Sequence, residues 1–148
     1  MKNRKSGSRS ASRLAAVQAL YQYDMEGTPV ASLLDEFHRH RLGAEIEDMQ
    51  FLAAETAFFD DVVKNTIARR DEIDAAISER LAEGWKLERL DKTMLQVLRA
   101  GAYELMARPD VPTGAVISEY LDVAHAFFDD REAKFANGIL DALGKAVR

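Results

Sequence analysis

Apolar residues recur at intervals of three and four along most of the chain, the spacing that places them on one face of an α-helix. The first series follows a polar opening segment and stops at Gly27-Thr28-Pro29, a combination that ends helices. Its apolar positions are Leu14, Val17, Tyr21 and Met25. A second, shorter helix is predicted before Gly43, with an apolar face made of Leu33, Leu34 and Phe37.

The middle of the chain carries a longer amphipathic pattern that predicts either one helix or two. Its first part places on one side Leu52, Phe59, Val62, Val63 and Ile67. A break near Arg70-Asp71 would start a further helix with apolar positions Ile73, Ile77 and Leu81. Gly84 interrupts the pattern, because glycine is unfavourable in a helix interior.

Two further helices are predicted on either side of a link that contains two prolines. Asp91 is placed to cap the first, since its carboxylate can accept hydrogen bonds from the free N–H groups of the opening turn. Pro109 and Pro112 disrupt helical hydrogen bonding, and Pro112 suits the first turn of the second helix. The apolar positions are Met94, Leu95, Leu98, Ala102 and Leu105, then Val116, Ile117, Tyr120, Leu121, Ala124 and either Phe127 or Phe128.

The last stretch contains Asn137-Gly138, a dipeptide typical of tight β-hairpin turns. The apolar residues around it do not alternate as strand residues would, and they predict one helix over residues 132–147. At 100° per residue they form a stripe about 100° wide, made of Ala136, Ile139, Leu140, Leu143 and Val147. No segment alternates long enough to predict a sheet. The fold class is therefore all-α, with about seven helices.

An aromatic ring and two cations accompany Gly138 on the outer side of this last helix. Phe135 stands about a quarter-turn from the centre of the stripe, and Arg131 and Lys134 lie toward the same side as Gly138. This arrangement favours single-stranded RNA, because unpaired bases stack on the ring while phosphates meet the charges. The alternative is that Phe135 packs into the edge of the core and Gly138 is only tolerated.

Composition limits the class of protein and its chemistry. The chain has 148 residues, enough for one domain or two small subdomains that share a core, and 47% of them are hydrophobic. No apolar run is long enough for a membrane span or for the core of a signal peptide, which predicts a cytoplasmic protein without a membrane partner. Cysteine is absent, which excludes disulfides, thiolate metal sites and cysteine nucleophiles.

Charge is unevenly divided between the start of the chain and the rest. The first thirteen residues hold five basic side chains and no acidic one, whereas the remainder holds 15 basic and 25 acidic side chains. We predict a flexible basic arm over residues 1–10 and a single all-helical domain over residues 11–148. Its subdomains are expected at about residues 11–83 and 84–148. Such an arm attracts polyanions, while the acidic body repels them.

No pattern typical of an enzyme is present. The chain has neither a G-x-G-x-x-G loop nor a G-x-x-x-x-G-K motif. His38 and His40 are two residues apart and diverge on a helix, and only His125 accompanies them. We therefore predict no catalysis, no cofactor and no metal site.

Three stretches together resemble the NusB family of bacterial transcription antitermination factors. They are AAVQALYQYD (residues 15–24), LDKTMLQVLRAGAYEL (residues 90–105) and residues 110–143, where a Val-Pro helix entry precedes Lys-Phe-x-Asn-Gly. The resemblance implies a NusB-like fold of two stacked helical bundles. It also implies binding to the boxA element of nascent, mainly ribosomal, RNA. Family members act with NusE, a small-subunit ribosomal protein, in an RNA polymerase complex that resists termination, and they catalyse no reaction.

The resemblance also assigns RNA-binding residues near the start of the chain. The family's arginine-rich motif falls on SRSASR, residues 8–13, where Arg9 and Arg13 match. Ser10 and Ala11 stand where many relatives have arginine, so fewer phosphate contacts are expected, with Lys5 and its basic neighbours compensating. If the first helix reaches back to Arg9, the two arginines share a face.

Other matches concern the aromatic residues and the contact with NusE. Tyr21 matches an aromatic position of the family, with simple core packing as the alternative. The phenylalanine of the Lys-Phe-x-Asn-Gly motif is implicated in RNA contact across the family, and the motif falls on Lys134, Phe135, Asn137 and Gly138. In the region that faces NusE, relatives often carry an acidic residue at the position of Met94. Glu88 is the acidic residue retained nearby, and it is therefore named as a candidate for the NusE contact.

Two other interpretations stay open at this point. A similar helical domain precedes the catalytic domain of ribosomal RNA cytosine methyltransferases, which would make this chain a related non-enzymatic module for RNA or protein interaction. A pure protein-interaction module with an incidental basic tail is the other. Some relatives self-associate through the surface that receives partners, and the sequence does not decide between a monomer and a homodimer.

Overall fold

The computed structural model describes the backbone of residues 4–39 and 49–148, and the side chains of residues 9–39 and 55–148. Within these ranges the chain forms seven α-helices and no β-strand. They are α1 (Arg4–Glu26), α2 (Val30–Phe37), α3 (Met49–Ala68), α4 (Arg70–Ser78), α5 (Lys92–Ala107), α6 (Thr113–His125) and α7 (Asp130–Val147). The all-helical prediction is confirmed. Gly43 and the side chain of Leu52 lie outside the described residues.

Helix α1 begins earlier than the sequence predicted. Residues 4–10, assigned to a flexible arm, are helical, so the boundary expected at residue 10 falls inside α1. Contacts with other helices accompany this extension. The hydroxyl of Ser10 donates to Glu119 of α6 at 2.6 Å, and Arg9 lies over the ring of Phe58 of α3. These partners come from distant parts of the sequence, so local composition gives no sign of them.

The central amphipathic pattern forms two helices. Arg69, with φ −104° and ψ 19°, separates α3 from α4, and Ile73 and Ile77 are buried as predicted. Gly84 adopts a positive φ of 87°, which glycine tolerates without strain. A 3₁₀ turn over Leu87–Arg89 follows, and periodicity did not predict it because three residues show no repeat.

Helix α5 is buried around its whole circumference from Met94 to Leu105, as expected for a helix surrounded by others. Asp91 caps it as predicted: its Oδ1 accepts from the backbone N–H of Thr93 at 2.8 Å and of Met94 at 3.1 Å. Pro112 directly precedes α6 and does not lie in its first turn.

Helix α7 contains Asn137-Gly138 in its interior, so the helix prediction is correct and these residues form no hairpin. It begins two residues earlier than predicted, because Asp129 accepts from the backbone N–H of Arg131 and of Glu132 at 3.0 and 3.3 Å. Four positions of the predicted stripe are buried, namely Ala136, Ile139, Leu140 and Leu143. Val147 is exposed, contrary to the prediction, since it ends the helix beyond the core.

Helix α5 packs against both α1 and α7. Arg13 and Asp24 of α1 contact Glu104 and Gln96 of α5, respectively, so these two helices are antiparallel. Through this contact the bundle that contains α1, α2 and α3 stacks on the bundle that contains α5, α6 and α7.

Helix α7 runs parallel to α5, because Leu140 approaches Gly101 and Gly144 approaches Leu105. A Cβ atom at Gly101 would stand 2.9 Å from Cδ2 of Leu140, so glycine permits this close packing. None of the described helices is both long and apolar enough to cross a membrane. The described residues also contain no group of three His, Asp or Glu side chains that could hold a metal ion.

Candidate nucleic-acid interface

Four of the predicted RNA-binding residues lie within an arc of about 100° on the outer side of α7. Phe135 is 37% exposed, so its ring is accessible and not enclosed in the core. Arg131 and Lys134 are exposed beside it, and a methyl group at Gly138 would meet no atom within 4 Å. We term these residues the α7 face. It combines an accessible ring, two cations and an unobstructed stretch of backbone.

A hollow of about 320 Å³ lies between α6 and α7. Lys134 and Asn137 line it from α7, and His125 lines it from α6. Asp130 also lines it, with its Oδ1 3.2 Å from Nε2 of His125. The hollow therefore adjoins the α7 face and adds amide and imidazole groups to its cations.

A second group of cations surrounds Phe58, a buried residue of α3. The guanidinium carbons of Arg9, Arg13 and Arg108 lie 4.6, 4.8 and 5.1 Å from the centre of its ring. These distances are typical of cation–π contacts. We term Phe58 and the three arginines the Phe58 cluster. Arg9 and Arg13 share a face of α1, as predicted for a helix that reaches back to Arg9.

Arg13 is buried in this cluster and does not face solvent. Its side chain is 4% exposed, and it donates to Glu104 through Nε at 2.9 Å and NH2 at 3.0 Å. Its NH1 donates to Glu119 at 3.0 Å. Burial opposes the charge, but the hydrogen bond and charge of Glu104, with smaller help from Glu119, raise the pKa of Arg13. The expectation of a solvent-facing phosphate ligand does not match this placement, since Arg13 joins α1 to α5 and α6.

Arg9 keeps partial exposure, and no described side chain forms an ion pair with it. Lys5 belongs to α1, four residues before Arg9 and therefore on the same face of the helix, and its side chain lies outside the described set. Arg9 is thus the member of the Phe58 cluster that is free to meet an external anion.

Arg108 lies in the connection between α5 and α6, and nothing in the sequence indicated that its side chain belongs to a cluster of cations. Its Nε and NH2 donate to Asp110 at 3.1 and 2.9 Å, and its NH1 donates to Asp61 at 3.0 Å. The hydrogen bond to Asp110, and then that to Asp61, raise the pKa of Arg108 in spite of partial burial. No local pattern marks this role, because Phe58 and Asp61 lie on another helix about fifty residues earlier in the sequence.

The α7 face and the Phe58 cluster lie toward opposite ends of α5. Arg9 shares the ring of Phe58 with Arg108, which directly follows the last residue of α5. Leu140 of α7 packs against Gly101 of α5, and Phe135 lies five residues before Leu140. Phe135 is therefore level with the first half of α5. Because α5 and α7 are parallel, about 18 Å along the helix axis separates the two groups, at 1.5 Å per residue. The sequence did not indicate this separation.

Tyr21 belongs to neither group. Its ring is exposed, which rules out full core packing, and it lines a different hollow of about 320 Å³. The exposed ring of Phe127 and the side chain of Thr93 line the same hollow. Glu88 lies exposed in the 3₁₀ turn, and Met94 is buried.

Comparison with known proteins identifies the family. The NusB family model matches residues 10–145. The chain belongs to the NusB family. A transcription antitermination protein NusB from Novosphingobium aromaticivorans is 71% identical over 140 residues, which cover 95% of each chain. The NusB of Sphingopyxis alaskensis is 67% identical over 146 residues, covering 99% of this chain and 98% of its own. The resemblance inferred from the three sequence stretches is confirmed.

Solved structures share the NusB fold. T. maritima NusB superposes with a TM-score of 0.78 at 28% identity, over 98% of this chain and 93% of that one. A chain in a crystal structure of the antitermination factors NusB and NusE in complex with dsRNA gives a TM-score of 0.77 at 24% identity. That match covers 95% of this chain and 98% of the other. The NusB-like helical architecture is therefore confirmed.

Proposed function

We propose that this protein binds the boxA element of nascent, mainly ribosomal, RNA together with NusE, within an antitermination complex on RNA polymerase. The observation that carries the proposal is the accessible ring of Phe135 beside two cations on α7. Membership of the NusB family supports it, because the curated relatives are named transcription antitermination proteins. The fold also matches a structure that contains NusB, NusE and RNA.

The α7 face supplies the chemistry for holding an unpaired strand. Phe135 stacks a base, since a nucleobase presents a π-face to an aromatic ring whatever its sequence. Arg131 and Lys134 lie close enough on the helix to neutralise phosphates next to that base. Gly138 lets the RNA backbone approach the helix closely, because no side chain stands there.

Arg9 provides a second contact at the other end of α5. An RNA strand that meets both Phe135 and Arg9 spans about 18 Å along the protein, which requires several nucleotides. Arg13 contributes indirectly, since its ion pairs with Glu104 and Glu119 hold α1 where Arg9 can reach the strand. We therefore give Arg13 a positioning role.

NusE raises the affinity by binding the same RNA. The protein has a formal net charge of −5, so its body repels RNA outside the cationic groups. When a second protein holds the same strand, the local contacts act at a high effective concentration, although none becomes stronger.

RNA affinity measured by fluorescence anisotropy tests the function, with boxA-containing RNA, a scrambled RNA of equal length, and purified NusE present or absent. We expect boxA RNA to be preferred when NusE is present. Each neutralised phosphate of a single strand should contribute about −0.7 to the slope of log affinity against log salt. Lys134→Gln and Arg9→Gln should each make that slope shallower by about 0.7. Equal affinity for both RNAs with NusE present, or slopes unchanged in both variants, contradicts the proposal.

The hollow that contains Tyr21 favours a second function, contact with a partner protein. Exposed aromatic rings are enriched at protein interfaces, and Tyr21 and Phe127 both line this hollow. We propose that NusE covers it. Tyr21→Ala should then weaken binding of purified NusE without RNA. If it lowers only the affinity for RNA, Tyr21 contacts RNA instead.

A further inference from the structure

We propose that Arg108 and Arg9, which both approach the ring of Phe58, form a phosphate site that the carboxylate of Asp110 occupies in the free protein. The inference rests on the proposed RNA-binding function and adds a site to it. In it, Asp110 takes the place of a backbone phosphate, and the RNA displaces it on binding.

The geometry of Arg108 and Asp110 matches the way arginine holds a phosphate. Nε and NH2 of Arg108 donate in parallel to the two oxygens of Asp110, at 3.1 and 2.9 Å. This two-point arrangement is the same one that a guanidinium forms with two phosphate oxygens. The Nε and NH2 groups of Arg108 are therefore already oriented to donate two parallel hydrogen bonds to the oxygens of a phosphate.

The opposite side of Arg108 is fixed, which leaves only one edge to exchange. Its NH1 donates to Oδ2 of Asp61 at 3.0 Å. Oδ1 of Asp61 accepts from the hydroxyl of Tyr103 and from the amide of Asn65, each at 2.8 Å. Asp61 is thus held by three neighbours and keeps the guanidinium in place when the other edge changes partner.

Asp110, in contrast, is only lightly held. Its side chain is 56% exposed, and Arg108 is its only ion-pair partner among the described side chains. The hydrogen bond from Arg108, with a smaller effect of the nearby Arg9 charge, lowers the pKa of Asp110, so the carboxylate is charged at neutral pH. Exposed ion pairs are weak because water competes for both partners. A phosphate that also meets Arg9 can therefore replace Asp110.

Arg9 makes the site better suited to a phosphate than to the carboxylate of Asp110. It lies 4.6 Å from the centre of the Phe58 ring, and Arg108 lies 5.1 Å from it. No described side chain pairs with Arg9, whereas the third arginine on the ring, Arg13, is neutralised by the buried carboxylate of Glu104 and the half-buried one of Glu119. A phosphate between Arg9 and Arg108 would contact two cations, while Asp110 bonds only one.

Asp110→Asn tests the inference, because the amide keeps the size of the side chain and removes its charge. Glu72→Gln is a matched control: Glu72 is also 56% exposed and also accepts two hydrogen bonds from one arginine, Arg69, at 2.8 and 3.1 Å. Arg69 directly follows α3 and stands eleven residues after Phe58, about 16 Å away along the helix axis. Both variants change the net charge equally, so only the local effect differs.

Two readouts are needed, boxA RNA affinity with NusE and titration with inorganic pyrophosphate followed by NMR of the arginine Nε–H groups. We expect Asp110→Asn to bind RNA about fivefold more tightly than Glu72→Gln at low salt, with a salt slope steeper by about 0.7. Pyrophosphate should shift the Nε–H signals of Arg108 and Arg9 at lower concentration in Asp110→Asn than in the unmodified protein.

The outcomes separate this inference from the proposed function. If the protein binds boxA RNA but the two variants have equal affinity and pyrophosphate leaves Arg108 unshifted, the phosphate site is refuted and the function stands. If pyrophosphate shifts Arg108 and Arg9 but no RNA binds even with NusE, the site stands and the function is refuted. Weaker RNA binding by Asp110→Asn than by Glu72→Gln also overturns the inference.

Discussion

Arg13 and Glu104 form a two-point ion pair inside the protein, with side chains that are 4% and 0% exposed. Nε and NH2 of Arg13 donate to the two carboxylate oxygens at 2.9 and 3.0 Å, and the hydroxyl of the buried Tyr120 donates to the same carboxylate. The pair joins α1 to α5, 91 residues apart in the sequence. An arginine of the stretch predicted to bind RNA therefore serves to hold two bundles together.

Arg13→Ala is expected to lower the free energy of unfolding by about 3–5 kcal/mol, because the carboxylate of Glu104 would remain buried without its cation. Urea denaturation measures the loss. The double variant Arg13→Met, Glu104→Leu should recover part of it, since the buried carboxylate is removed together with its cation, although the hydroxyl of Tyr120 then loses its acceptor. If Arg13→Ala keeps full stability and loses only RNA affinity, Arg13 is a direct phosphate ligand and our assignment is wrong.

Phe135→Ala should weaken binding of boxA RNA by about 1–3 kcal/mol, the usual contribution of one stacked base. The loss should be nearly independent of salt, because stacking releases no counterions. Val147→Ala is the control, since it truncates another exposed apolar side chain of α7. Equal RNA affinities for the two variants would show that the ring of Phe135 does not contact the strand.

Gly138→Ala should change stability and binding in opposite directions. The position is mid-helix with no atom within 4 Å of the added methyl group, so alanine should stabilise the fold by about 0.5–1 kcal/mol. RNA affinity should fall, because the methyl group would obstruct the approach of the RNA backbone. Urea denaturation and anisotropy give the two values. A more stable variant with unaltered RNA affinity would remove Gly138 from the interface.

Arg148 is expected to stabilise the link between α5 and α6. Its guanidinium donates to the backbone carbonyls of Glu104, Leu105, Arg108 and Val111 at 3.1, 2.9, 2.8 and 2.6 Å. Arg148→Ala should lower the free energy of unfolding by about 1–3 kcal/mol, because these carbonyls lose their donor. Arg148→Lys should restore little, since one ammonium cannot reach all four acceptors. Equal melting temperatures for arginine and lysine would contradict this.

Stability should fall in alkaline solution because of Tyr103. Burial, together with its hydrogen bond to Asp61, raises the pKa of Tyr103 to about 12, whereas an unfolded tyrosine titrates near about 10. Below pH 10 both states keep the proton. Between about pH 10 and 12 the unfolded state loses it first, so the free energy of unfolding decreases as the pH rises. Tyr103→Phe should show a shallower decrease in urea titrations across this window, and an unchanged slope would contradict the assignment.

The sequence alone determined most of the helices, the Asp91 cap and the family. Apolar spacing placed Ile73, Ile77 and Leu140 in the core, and Asp91 could be assigned as a cap from its position before an apolar series. These features are local: a helix face and an N-cap depend on residues within a few turns of one another. The position of Gly138 on the outer side of α7 could be predicted for the same reason.

Only the tertiary structure decided which arginines are available to a ligand. Arg9 and Arg13 look equivalent in the sequence, yet Arg13 pairs with the buried carboxylate of Glu104 and the half-buried one of Glu119, while Arg9 pairs with no described side chain. The role of Arg108 depends on Phe58, which lies on another helix. Ion pairs and ring contacts join segments about fifty to one hundred residues apart. Periodicity records which face of a helix is buried, but not which side chain of another helix meets it.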